Sequence, residues 1–303
     1  MNHVVVTGAA GFLGAQLCRR LLARGDRVTA IDNLSMRRRP TDLLEHPHWT
    51  LRTVDTAAPG AFAELDDVTQ IAHLAHPGSP VAAARQPVEV LRAACVGTLA
   101  ALDLAAAHTA RIVLASGPQP GPGPLSYDRR TTLFDPHSTG HHLIETVAHR
   151  YRHVDTGIAR FFEVYGPGLP PGDGRITAAL CAAALRDQTL YLPQHRTYAF
   201  LYLTDAVDAL ITMLDNEIPG PIDIGGPPLP LTEFAHTAVT LAGTGWLESP
   251  PPPLIETCST APNLAHTETQ LRWRPTTSLH TGLRNTLDWM RTIVSIDKAP
   301  NEL

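Results

Sequence analysis

Cysteine is scarce, four in 303 residues, and Cys18, Cys95, Cys181 and Cys258 lie too far apart for a zinc pair or a redox motif. A disulfide framework is thereby excluded and a reducing cytoplasm implied. Charge is sparse too: 17% of residues are charged and the formal net charge is −5 at pH 7. That leaves no basic surface for nucleic acid and too little charge for disorder. No stretch approaches the roughly 18 uninterrupted apolar residues of a membrane span, so no membrane partner is expected. The opening MNHVVVTGAAG leaves no room for a charged leader and an apolar signal core, and a cytoplasmic chain is expected.

What is present is alternation. His3–Thr7 reads as strand, Gly11–Arg24 as helix and Arg27–Ile31 as strand, a βαβ unit. Further strands are expected at Trp49–Thr53, Thr69–Leu74, Arg111–Ala115 and Thr156–Phe161, with helices near Val81–His108 and Ser138–Arg152. This order predicts an α/β fold, a Rossmann-type doubly wound parallel sheet. Beyond Gly166 the pattern loosens into Pro- and Gly-rich loops around helices near Ile176–Arg186, Thr204–Asp215, Leu231–Leu241 and Leu279–Thr292. A smaller C-terminal substrate-binding lobe is expected there. The division places residues 1–166 and about 197–227 in a dinucleotide-binding domain, and about 167–196 and 228–303 in the lobe. In GPQPGPGP from Gly117 and SPPPP from Ser249, proline blocks helix and internal strand pairing. Both read as surface linkers, the first alternatively as a rim of the active site.

TGAAGFLG puts Gly8, Gly11 and Gly14 directly after a strand and at the opening of a helix, the context a dinucleotide fingerprint requires. A side chain at Gly8 or Gly11 would obstruct the tight turn and the approach of a pyrophosphate, and the helix N-terminus offers N–H groups to it. Ala10, Phe12 and Leu13 complete that cradle. Asp32, with Asn33 beside it, ends the second strand about 20 residues further on, where a carboxylate takes the adenosine ribose hydroxyls and favours NAD. Arg37, Arg38 and Arg39 follow within one loop, where guanidinium groups suit a 2′-phosphate. NADPH or NADH is expected, with NADP favoured.

These segments, with DNLSMRRR, HLAHPGSP from His73, VGTL from Val96, ARFFEVYGPG from Ala159, GDGRI from Gly172 and FLYLTDAVDAL from Phe200, resemble the extended short-chain dehydrogenase/reductases. The likeness is strongest to their sugar-nucleotide branch of epimerases, dehydratases and decarboxylases. It implies that Asp55 and Thr56 lie near the adenine, Leu74, Ala75 and His76 along the pyrophosphate and ribose, and Phe161 to Val164 near the nicotinamide. It also implies a homodimer through the helices near Val81–His108 and Ser138–Arg152. Leu143, Val147 and Tyr151 would form an intersubunit stripe there, or equally belong to the intrachain core.

The resemblance fails at the chemistry. The family uses a tyrosine, a lysine four residues later and a serine or threonine, yet no Tyr-x-x-x-Lys occurs in this chain. Counting from IET at Ile144–Thr146, His137 takes the tyrosine position and His141 the lysine position; Gly117 takes the hydroxyl position, leaving Ser116 beside it. Ser116, His137 and His141 are therefore the candidate catalytic residues, with Ser116 and His141 also against the cofactor. The two histidines share a helix face at i and i+4. With no third ligand indicated, no metal is expected.

The substrate side departs as well. Glu163 stands where the branch carries asparagine, and Tyr198 and Thr260 where it carries diphosphate-binding arginines, leaving Arg160, Arg175 and Arg196 as partial substitutes. Phe161, Phe162, Tyr165, Tyr191, Tyr198 and Phe200 fall in segments expected around the substrate, although strand alternation assigns part of them to the core. Gly117, Glu163, Tyr165, Tyr191 and Tyr198 are the candidate substrate contacts, and a small aromatic molecule is the expected partner.

Lacking the triad, the chain resembles the angucyclinone ketoreductases of the simocyclinone type. The first expectation is an NAD(P)H-dependent ketoreductase acting on a polycyclic aromatic polyketide in antibiotic biosynthesis, its alkoxide stabilised by a neighbouring phenol or protonated by water or histidine. The alternatives are a sugar-nucleotide epimerase, dehydratase or decarboxylase with altered acid/base residues, and a non-catalytic NAD(P)-binding protein.

Overall fold

All five residues of strand β1 (His3–Thr7) are buried, as happens when both faces of a sheet are covered. A computed structural model describes residues 1–35, 41–43, 45–76, 78–118, 135–192, 197–218, 220–248 and 261–294, without the side chains of Thr41 and Tyr191. After β1 come α1 (Phe12–Ala23), β2 (Arg27–Asp32), β3 (Trp49–Thr53), β4 (Gln70–His73), α2 (Pro80–Arg85), α3 (Pro87–Arg92), α4 (Thr98–His108) and β5 (Arg111–Ser116). Then follow α5 (Pro136–Ala148), β6 (Thr156–Phe161), β7 (Glu163–Tyr165), α6 (Ile176–Leu185), β8 (Thr189–Tyr191), β9 (Thr197–Tyr198), β10 (Phe200–Tyr202) and α7 (Leu203–Asp215). The described chain ends with β11 (Ile222–Ile224), β12 (Leu229–Pro230), α8 (Leu231–Ala242), β13 (Trp246–Glu248), α9 (Leu264–Leu271) and α10 (Leu279–Val294).

The central sheet runs β11-β6-β5-β4-β1-β2-β3, and each of its pairs is parallel. Strand order reverses beside β1, so the crevice outside the carboxyl ends of β1 and β4 is where such a sheet accepts a ligand. On one face α1 and α7 bury Leu17, Leu21, Val207, Leu210 and Met213. On the other, α4 and α5 bury Leu102, Ala105 and Ile144. A third core joins α6, α8 and α10 around Phe234, Leu283 and Leu287. Asp205, 3% exposed, ties this core to the sheet: its carboxylate accepts N–H bonds from Thr276 and Thr277, both 3.1 Å, and the Thr276 hydroxyl at 3.0 Å.

The single helix expected over Val81–His108 is broken. Proline at 87 drives Gln86 out of the helical region, to φ −134 and ψ 58. A wide turn at Ala93–Gly97 then precedes α4, and a Cβ on Gly97 would come 2.6 Å from Thr56 Oγ1. The whole run Pro87–His108 is long and apolar enough to cross a membrane by length and composition. It lies instead across the sheet, with Val90, Ala94, Ala101 and Leu102 fully buried. Leu143, Val147 and Tyr151 of the proposed intersubunit stripe pack against the intrachain core. Helix α9 was not expected from the sequence; the Asn263 side chain caps it by accepting the His266 N–H at 3.1 Å. The two proline-rich stretches lie outside the described residues beyond Pro118 and from Ser249 onward.

At the crevice, one buried threonine sets the geometry. Thr7 Oγ1 accepts the N–H groups of Leu74 and Ala75, both at 3.1 Å, so its own proton goes to His73 Nδ1 at 2.9 Å. The imidazole is therefore protonated at Nε2, which faces Thr98 Oγ1 at 3.3 Å. Burial pushes the His73 pKa down to about 4. An unfolded His73 binds a proton between pH 6.5 and 4 and the native one does not, so stability falls as pH drops through that window. We expect the stability advantage of wild type over His73→Gln to shrink by about 2 kcal/mol between pH 7 and pH 5. Urea unfolding at the two values checks this, and an unchanged gap contradicts the buried neutral imidazole.

Candidate active site

The glycine turn is fixed by backbone sterics. Gly8 has φ +65, and a Cβ there would lie 2.6 Å from Leu74 O; at Gly14 it would lie 2.1 Å from Gly8 O, the acceptor of the Gly11 N–H at 2.9 Å. Helix α1 has glycine at its N-cap and no side-chain cap, so its first N–H groups are left for a ligand. Asp32 braces the same turn, accepting Ala10 N–H at 2.9 Å and Leu34 N–H at 2.7 Å. Burial raises its carboxyl pKa. Asn33 donates to Asp55 at 3.1 Å, and Asp55 accepts Ala57 N–H at 2.8 Å.

A cavity of about 1070 Å³ opens from this turn, large for a small-molecule site. Gly8, Gly11, Phe12, Leu13, Gly14, Asp32, Asn33, Asp55, Thr56, Leu74, Ala75 and His76 line it. Ser116, Gly117, His137, His141, Phe161, Glu163, Val164 and Tyr198 line it too. Ala10 is buried behind the wall, its N–H held by Asp32. Arg37 and Arg38, on which the NADP expectation rested, lie outside the described residues, as do Arg196, Thr260 and the Tyr191 side chain.

The expected hydroxyl is committed elsewhere. Ser116, 3% exposed, donates to Glu145 Oε1 at 2.8 Å, and Arg160 grips the same carboxylate at 2.8 and 2.7 Å. Neither Ser116 as a polariser of substrate oxygen nor Arg160 as a diphosphate ligand fits this arrangement. His137 and His141 meet as their i, i+4 spacing requires, Nε2 to Nε2 at 3.3 Å. The third imidazole that spacing did not indicate is His76, its ring centroid 4.7 Å from that of His141 and 5.5 Å from that of His137. Burial lowers the pKa of His76 to about 3 and holds His141 well below the usual imidazole value, each helped by its neighbours' charge. His76 and His141 are neutral at pH 7 and weakly basic, so each carries an unprotonated ring nitrogen there.

On the substrate side, Glu163 has its pKa raised, chiefly by burial and against the opposing pull of Arg175. Arg175 lies 5.6 Å over the Phe12 ring, pairs with Asp173 at 3.0 Å and donates to Gly78 O at 3.1 Å. Phe161, Phe162 and Tyr198 reach the cavity. Tyr165 and Phe200 do not: Tyr165, 2% exposed, packs edge-on against Tyr202 and Phe234, and Phe200 stacks on Phe234 at 4.3 Å. The third core claims both rings because they bury more apolar surface there than at a wet cavity wall. Wall residues not singled out from the sequence include Ser79, Arg85 and Glu89. The Ser79-Pro80 helix start was their one visible signal.

Residues 4–225 match the model of the NAD dependent epimerase/dehydratase family. The chain belongs to that family. UDP-glucuronic acid decarboxylase 1 of Arabidopsis thaliana is 32% identical over 98% of this chain and 72% of its own length. Among solved structures, the Bordetella bronchiseptica enzyme WbmF in complex with NADH superposes with TM-score 0.84 at 21% identity, over 97% of this chain and 93% of that one. TunA, an NAD-dependent NDP-hexosamine 5,6-dehydratase of tunicamycin biosynthesis, superposes with TM-score 0.75 at 26% identity, over 96% and 98%. These likenesses overturn the expectation of a polyketide ketoreductase: the decarboxylase and TunA both carry sugar-nucleotide names. The expectation leaned on a missing triad and an aromatic count, and neither specifies a ligand.

Proposed function

We propose that this chain binds NAD along the glycine turn and acts on a hydroxyl of a nucleotide-linked sugar, with histidine in place of the missing tyrosine. The observation that carries this is the His137–His141 pair, half-buried in the wall of the cavity that begins at Gly8. Bound NAD supplies the two-electron acceptor for the carbon that bears the hydroxyl. The N–H groups at the start of α1 would hold the pyrophosphate, Asp32 the adenosine ribose, and Asn33, Asp55 and Thr56 the adenine end. A carboxylate at Asp32 disfavours a 2′-phosphate, hence NAD rather than NADP. His137 and neutral His141 stand at the tyrosine and lysine positions, where an unprotonated ring nitrogen faces the reacting hydroxyl. Phe162 and Tyr198 offer ring faces for a nucleobase, and Arg175 and Arg85 a positive charge for phosphate.

The test is incubation of the full chain with NAD and UDP-glucuronic acid, UDP-glucose or dTDP-glucose, with products read by mass spectrometry and binding by calorimetry. We expect saturable NAD binding and conversion of at least one sugar nucleotide. A chain that binds no NAD defeats the proposal. One observation favours a second reading, an NAD-binding protein without turnover: Arg160 is spent on Glu145, which weakens the diphosphate site. NAD binding without any sugar-nucleotide stabilisation or conversion is the result that selects it.

A further inference from the structure

Helix α5 carries a glycine in its second turn, Gly140, where glycine weakens a helix by roughly 0.5–1 kcal/mol relative to alanine. The position faces His76: a Cβ on Gly140 would lie 2.2 Å from His76 Nε2. Gly117 does the same for the second ring, since a Cβ there would lie 2.8 Å from His141 Nε2. Two missing methyl groups thus open the space in which three imidazoles, one from the loop after β4 and two from α5, turn toward one another.

We propose that His76, His137 and His141 form a three-histidine site for a divalent ion of the zinc class, with its fourth position open to the cavity. One nitrogen from each ring can be chosen so that all lie within 4.8 Å of one another. The His137–His141 separation of 3.3 Å equals the edge of a tetrahedron with zinc–nitrogen bonds of about 2.0–2.1 Å. The His76 nitrogen must close from within 4.8 Å to the same edge, and the absent Gly140 methyl leaves its ring room to turn. Both ring nitrogens of His76 and Nδ1 of His141 are buried without a hydrogen-bond partner. Buried polar atoms in that condition are costly and point to a group that completes them. Imidazole nitrogens suit zinc, cobalt, nickel or copper rather than magnesium or calcium. Three protein ligands with one open position is the pattern of a catalytic ion, whereas structural zinc is closed by four.

The role of the ion rests on the redox reading above and deepens it. An ion held by the three rings would leave its open position to an alcohol or carbonyl oxygen and, as a Lewis acid, would ease loss of the alcohol proton to water while the hydride of the same carbon goes to NAD, the work otherwise done by the absent tyrosine and lysine. The histidines then hold the ion instead of taking the proton. The reactants are unchanged, and the ion keeps its oxidation state.

Binding is testable without turnover. The untagged full chain, cleared of metal with a chelator, is titrated with cobalt(II) at pH 7.5 and followed by visible absorption. One equivalent per chain, with the intense bands of four-coordinate cobalt, is expected, and one equivalent of zinc should abolish them. His76→Asn, His141→Asn and Gly140→Ala should each weaken binding at least about tenfold, with far-ultraviolet circular dichroism unchanged. Wild type that binds no cobalt stoichiometrically, or cobalt binding that survives in His76→Asn, overturns the site. NAD calorimetry on the same sample separates the two proposals: NAD binding without cobalt defeats the metal site alone, and cobalt binding without NAD defeats the cofactor reading alone.

Discussion

Arg160→Met is expected to destabilise the chain by about 3 kcal/mol. Glu145 is 6% exposed and holds three charge-assisted or hydroxyl bonds, two of them from Arg160. Removing the guanidinium strands a carboxylate in a site that water reaches poorly, which is the expensive way to break an ion pair. The estimate sits at the low end for such pairs because the Arg160 side chain keeps 24% exposure. Arg160→Met with Glu145→Met leaves only Asp223, 3.9 Å from the lost guanidinium and still held by Asn263 N–H, and we expect the double variant to recover more than half of the loss. Guanidinium denaturation of the two variants and wild type measures this; a loss below about 1 kcal/mol in Arg160→Met contradicts a buried structural pair. The pair matters to the site because Glu145 lies on the helix that carries His137 and His141. Arg160, on β6, and Ser116, at the end of β5, pin that helix to the sheet.

Gly14→Ala is expected to weaken NAD binding by at least roughly 100-fold, about 2.8 kcal/mol. The new methyl would sit 2.1 Å from Gly8 O and 2.9 Å from Ala9 Cα. Gly8 O cannot retreat freely, because it accepts the Gly11 N–H, and Gly8 N is itself bonded to Ile31 O at 2.8 Å. Helix α1 must therefore shift away from the turn, and the N–H groups that are proposed to hold the pyrophosphate lose their common focus. Calorimetry with NAD gives the affinity, and circular dichroism shows whether the fold survives. A folded Gly14→Ala variant with affinity within threefold of wild type would mean that this turn is not the cofactor cradle.

Misreadings at the site share one cause. Tyr165 is expected at a substrate wall because its segment borders one, as Phe200's does, but residues only one or two positions apart in an irregular strand face different compartments. Side-chain direction there depends on where α8 and α10 come to rest, more than thirty residues later in the chain. Ser116 and Arg160 kept their expected places along the chain yet bond to each other's partner, Glu145, instead of to a ligand. No residue type announces that choice; it follows from α5 packing across β5 and β6. The polyketide expectation compounded these errors by converting a missing triad into a substrate.

Sequence alone determined the parallel sheet, the glycine turn, the carboxylate at the end of β2 and the meeting of His137 with His141. Each of these is local: apolar periodicity, a turn that tolerates no Cβ, or a four-residue helical offset acts over a few residues and needs no knowledge of the rest. Tertiary structure decided that His76 joins that pair from sixty residues away, that Arg160 serves Glu145, and that Tyr165 is core. The first two contacts exist because β4, β5 and β6 lie side by side in the sheet, the third because α8 and α10 pack over β7. A chain must complete its crossovers before such neighbours have any chance to interact.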